Sequence, residues 1–184
     1  MTEAIVYGLP VLIYLVVQSH RRRLGLRTAL HRLGCTPGRV TDYVLAVGLG
    51  AVQLALFLVV VPAVPVATLD SPGMVFPVAS TVSVAAGVVL RAVMEELLFR
   101  GLIAGVLQQR WGLLRGNLVQ AAVFLLPHLI LLAVDLRAWP ILIMQFLSAL
   151  LLGWLRHRSN SFLPGAVAHA AANLLAPVLA QELL

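Results

Sequence analysis

The chain has 184 residues, 61% of them hydrophobic and only 11% charged, with a mean hydropathy of +0.99. Soluble domains carry roughly 25% charged residues, so this composition excludes an ordinary water-facing surface and makes lipid the solvent for most of the chain. The net charge of +6 rests on arginine alone, with no lysine; the basic stretches are too short for a nucleic-acid-binding domain and sit where they would set membrane orientation.

The length suits one compact membrane domain over residues 1–184, and six apolar runs predict an all-α, polytopic bundle of about six transmembrane helices. The first run, about Ala4 to Gln18, is short for a bilayer core. It follows Glu3 and precedes the arginines, the reverse of a signal peptide, so it reads as a retained span. The second runs from Tyr43 to about Val66. The third, Met74 to about Leu107, would be about 50 Å long as straight helix, so it must tilt, bend or project. The fourth is about Leu118 to Val134, the fifth Trp139 to Leu155 and the sixth Phe162 to Leu179. Asn160, Ser161 and Pro164 suit the start of that last helix. The lone Cys35, in an arginine-rich loop, excludes an internal disulfide and a multi-cysteine metal site.

Arginine is distributed unevenly. Arg21, Arg22, Arg23, Arg27, Arg32 and Arg39 follow the first run, Arg110 and Arg115 the third, Arg156 and Arg158 the fifth; the opposite loops hold Asp70, Asp135 and Arg137. The positive-inside rule then puts the loops after the first, third and fifth runs in the cytoplasm and both termini outside.

Three polar clusters interrupt the apolar runs. Charge inside a membrane is costly and usually faces a bundle interior or a water-filled cavity. In Glu95-Glu96-Leu97-Leu98-Phe99-Arg100, the two carboxylates point about 100° apart. Glu96 and Arg100 stand in the favourable i, i+4 order and predict an ion pair. Glu95 has Arg91 four residues before it, in the less favourable order; if Arg91 reaches elsewhere, Glu95 is a general-base candidate. The second cluster stacks Phe124 and His128 at i, i+4, with Pro127 expected to bend the helix beside the imidazole. The third places His169 and Asn173 on one face across three alanines, two donors suited to a developing oxyanion. Measured from the arginine-rich ends, Glu95, His128, His169 and Asn173 fall at similar depths, roughly 10–18 Å at 1.5 Å per residue. Ionic glue within the bundle, or a single hydrogen bond between helices, remains open for each cluster taken alone.

Together these pieces resemble the motifs of the CPBP family of intramembrane proteases, which includes the type II CAAX prenyl endopeptidases. Glu95-Glu96-x-x-x-Arg100, Phe124-x-x-x-His128 and His169-x-x-x-Asn173 occur in the family's order, over about residues 80–180. The resemblance implies an endopeptidase in which Glu95 and His128 activate water and His169 with Asn173 holds the oxyanion. Glu96 and Arg100 would hold the helix, and Phe124 would pack beside the site. Family members are described both as glutamate-dependent enzymes and as metalloproteases. A zinc ion, if used, would draw on Glu95, His128 and His169. The implied partners are membrane lipid and a peptide or protein substrate, with no nucleic acid. The lysine-free, alanine- and leucine-rich composition points to a bacterial plasma membrane, with the active site toward the cytoplasm. Two other classes stay open: a non-proteolytic binding protein of the bacteriocin self-immunity type, and a proton-coupled transporter.

Overall fold

In the computed structural model, residues 2–20, 25–69 and 78–183 are described, those of 2–4 and 182–183 by backbone alone. Arg21, Arg22, Arg23, Asp70 and the expected start of the third run at Met74 lie outside the described residues, as does the side chain of Glu3.

The described chain is helical and contains no strand. The order is α1 (Thr2–His20), α2 (Leu26–Arg32), α3 (Val40–Val60), α4 (Val66–Leu69), α5 (Val82–Glu96), α6 (Gly105–His128), α7 (Ile130–Val134), α8 (Trp139–Ser159) and α9 (Leu163–Leu183). A π-helical segment, Leu97–Ala104, joins α5 to α6. Four stretches are long and apolar enough to cross a membrane: Val40–Ala63, Val82–Val134, Leu136–Ser159 and Leu163–Gln181. The expected count of six is therefore not matched one for one. The apolar part of α1, Ile5–His20, is shorter than a full span. The third and fourth runs form one helical stretch, folded back at Gly112, whose φ of 73° and ψ of 175° break α6. Beyond that reversal Gly116 packs so tightly on the first arm that a Cβ there would lie 2.6 Å from the Gln108 backbone nitrogen.

Helix starts follow local chemistry. The Thr81 hydroxyl accepts from the Val84 amide at 3.2 Å and caps α5. Asp42 accepts from the Arg39 amide at 3.0 Å and anchors α3. Asn160 ends α8 in the left-handed region, and the Ser161 hydroxyl accepts from the Leu163 amide at 3.2 Å to open α9.

Packing inverts the soluble pattern. Ile5, Val44, Val59 and Leu114 are exposed, whereas Asp42, Gln53, Glu95, Glu96, Arg100, Gln120 and Arg156 are buried. Helices α6 and α8 pack together, and α9 lies against both α3 and α5. Small residues permit the close α3–α9 approach, where a Cβ on Gly50 would lie 3.7 Å from the Ala168 carbonyl oxygen. Amides bind α6 to α8: Asn117 Nδ2 donates to the Leu150 carbonyl at 2.9 Å, Gln120 Nε2 to Ala149 at 2.8 Å and Gln108 Nε2 to Gly153 at 2.9 Å. In an apolar solvent such bonds supply specificity that hydrophobic packing cannot, since lipid is as apolar as leucine.

Candidate active site

The π segment begins immediately after the two glutamates, so its wider winding presents Arg100, Phe99 and Gly101 to the interior, all buried. Gly101 is needed for the approach of the α2 turn: a Cβ would lie 3.0 Å from the Leu33 carbonyl oxygen. Arg100 Nη1 stands 2.8 Å from Glu96 Oε1, with the two side chains 1% and 0% exposed. This is the expected i, i+4 pair, met as a charge contact, since Nη1 lacks hydrogen-bond alignment. The guanidinium also lies over the Phe124 ring, 4.4 Å from its centroid. Phe124 meets Phe99 edge-on at 4.9 Å and His128 at 4.6 Å, so the expected packing of Phe124 beside the histidine is present.

His128 closes α6 one residue beyond Pro127. Its Nδ1 lies 2.9 Å from the Phe124 carbonyl oxygen. A carbonyl only accepts, so Nδ1 carries the proton and the neutral ring keeps its lone pair on Nε2.

Glu95 is not left without a cation. Arg91 Nε donates to Glu95 Oε1 at 3.0 Å, from a side chain that is 52% exposed. The less favourable order is thus used, because the residues beyond Glu95 on that face are apolar and Arg91 alone on its own helix can reach it. The second oxygen of Glu95 faces His169 Nε2 at 3.9 Å. His169 Nδ1 meets Glu96 Oε1 at 2.9 Å. The imidazole therefore bridges both carboxylates. Glu96, with Arg100 and His169 around it, sits against α9, where a Cβ on Gly165 would approach its Oε2 to 3.3 Å.

One cavity of about 230 Å³ gathers the sequence-derived set. Glu95, Arg100, Phe124, His128, His169 and Asn173 all line it, while Glu96 lies behind the wall, fully buried. Its apolar limb is formed by Leu54, Phe57, Leu131, Ile141 and Met144. Sequence reasoning missed three polar lining residues, Gln53 on α3 and Gln145 and Ser148 on α8. The signal that flagged the histidines, a polar residue inside an apolar run, was present for all three. Gln53 is 7% exposed and its Oε1 has no hydrogen-bond partner.

Among the described residues no three His, Cys, Asp or Glu side chains come together as metal ligands. His169 Nδ1 is directed at Glu96 and His128 Nδ1 at a carbonyl, which leaves the Nε2 atom of each ring as the one available to the cavity.

A helical bundle with aliphatic side chains outside and a charged, polar-walled cavity inside defines a multi-pass membrane protein with an internal site. Residues 77–175 match the family described as Type II CAAX prenyl endopeptidase Rce1-like, and the chain belongs to this family of CAAX-type intramembrane proteases. No curated protein and no solved structure matches the chain.

Proposed function

We propose that this protein hydrolyses a peptide bond within the cavity by glutamate- and histidine-activated water, without routing the reaction through a metal. The observation that carries the reading is the meeting of Glu95, His128, His169 and Asn173, from three separate helices, around one cavity. Although Arg91 pairs with its Oε1, Glu95 is the base that takes a proton from water through Oε2, with His128 Nε2 as its partner. The water oxygen attacks the scissile carbonyl carbon. His169 acts as the imidazolium, its Nδ1–H held by Glu96, so that its Nε2–H and the Asn173 amide stabilise the oxyanion that forms. Collapse of the intermediate breaks the C–N bond, and the proton held by the base passes to the leaving amine. Arg100 on the π segment and Glu96 hold the end of α5 that carries Glu95, and the apolar limb receives an aliphatic or aromatic substrate side chain.

The arginine-rich loops favour an active site that opens toward the cytoplasm of a bacterial cell. Residues 80–180 are the protease core within a single membrane domain. Membrane peptides compared by mass spectrometry between cells carrying the wild type and Glu95→Gln test the reading. Fragments that vanish with Glu95→Gln and with His128→Ala support proteolysis and name the substrate. An unchanged peptide profile and phenotype in both variants overturns it in favour of a binding role.

A further inference from the structure

A second cavity, of about 280 Å³, shares no lining residue with the first. Its wall includes His31 and Arg32 of α2, Gln109 of α6, and Arg156, His157 and Asn160 at the end of α8, with no aspartate or glutamate. Arg156 is the unusual member. It is 5% exposed, and its Nη2 donates to the Arg32 carbonyl at 3.1 Å, yet Nε has no hydrogen-bond partner. Among the described residues no carboxylate comes within ion-pair distance of it.

A buried guanidinium with an unused donor is costly, and the fold is built to keep it there. Gly34, at φ +73°, lies so close that a Cβ would meet Arg156 Cζ at 2.7 Å; one on Gly105 would reach Nη2 at 3.5 Å. The Gly34 loop is itself fastened to the α8–α9 junction. The Phe162 amide donates to the Gly34 carbonyl at 3.2 Å, Thr36 Oγ1 to the Asn160 carbonyl at 3.1 Å, and the Ser161 hydroxyl to the Thr36 carbonyl. The guanidinium is thus cradled by glycine and walled by cationic and neutral polar groups, with exposed His31, Arg32 and His157 at the opening.

We propose that this cavity is an anion site that binds a phosphate group, with Arg156 as its inner donor and Arg32 and His157 as its outer ones. A guanidinium offers paired N–H donors that match phosphate oxygens. The phosphate can belong to the headgroup of an anionic phospholipid or be free in solution, and basic residues near a membrane surface attract the former.

The test uses the full chain purified in detergent, with inorganic phosphate and phosphatidylglycerol as probes and phosphatidylcholine as the control. Binding is read by native mass spectrometry and by the rise in unfolding temperature. Retention of phosphatidylglycerol over phosphatidylcholine is expected, weakened about tenfold or more in Arg156→Gln through loss of a charged hydrogen bond. A response to both probes assigns a site for the phosphate group itself; a response to phosphatidylglycerol alone assigns a lipid headgroup site. Should Arg156→Gln fail to fold, Arg32→Gln and His157→Gln, at exposed positions, carry the test. Binding of neither probe by the wild type, or wild-type affinity in these variants, overturns the proposal.

Discussion

Two adjacent carboxylates should respond to the same substitution in opposite ways. Glu96 and its partner Arg100 are 0% and 1% exposed at 2.8 Å. Glu96→Gln leaves a guanidinium buried beside Phe124 without the carboxylate it contacts, and removing one member of a buried pair costs about 3–5 kcal/mol. At about 2–4 °C per kcal/mol for a chain of this size, the unfolding temperature should fall by roughly 6–20 °C. Glu95→Gln differs because its partner Arg91 is 52% exposed and can turn to water, so about 1 kcal/mol or less is expected. Peptide cleavage should nevertheless be lost in Glu95→Gln. Replacing both buried partners, Glu96→Gln with Arg100→Met, should recover much of the loss, because no unpaired charge remains. The assay is thermal unfolding of the purified variants in detergent, beside cleavage of a membrane peptide. Equal destabilisation by Glu95→Gln and Glu96→Gln, or a double variant as unstable as the sum of its parts, would refute the division of labour.

Other outcomes can be measured on the same preparation. Gly116→Ala should destabilise by about 1–3 kcal/mol or more, read from the same melts, because the added methyl meets the unyielding Gln108 backbone. Gly112→Ala should cost about 1–3 kcal/mol, since the position has open space around it but a φ of 73° with a ψ of 175° that is essentially confined to glycine. Asp135 lies between two spans, and hydrogen bonds from Arg137 and then Thr68 hold its carboxyl below the usual carboxylate range. Its contribution is therefore present above the unfolded value near 4 and fades as pH falls toward the depressed folded one; acid titration of stability should be shallower in Asp135→Asn. Exhaustive chelation of purified active protein should leave cleavage intact; loss of activity restored by added zinc would defeat the metal-free mechanism.

The sequence by itself determined the class. Its hydropathy requires lipid around it, its periodicity requires helices, and the cost of charge in lipid marks Glu95, Glu96, Arg100, His128 and His169 as residues that must face one another. Spacing along one helix also determined the Glu96–Arg100 pair and the shared face of His169 and Asn173, because four residues make about one turn. Spacing says nothing about which neighbouring helix a face will meet. Only the tertiary structure set His169 between both glutamates, turned Arg91 onto Glu95, and brought Gln53, Gln145 and Ser148 to the cavity wall. It likewise folded the third and fourth runs back on each other at Gly112, and buried Arg156 under a glycine loop distant in sequence. These outcomes depend on how helices cross and how closely their backbones approach, which small residues permit but a one-dimensional pattern does not specify.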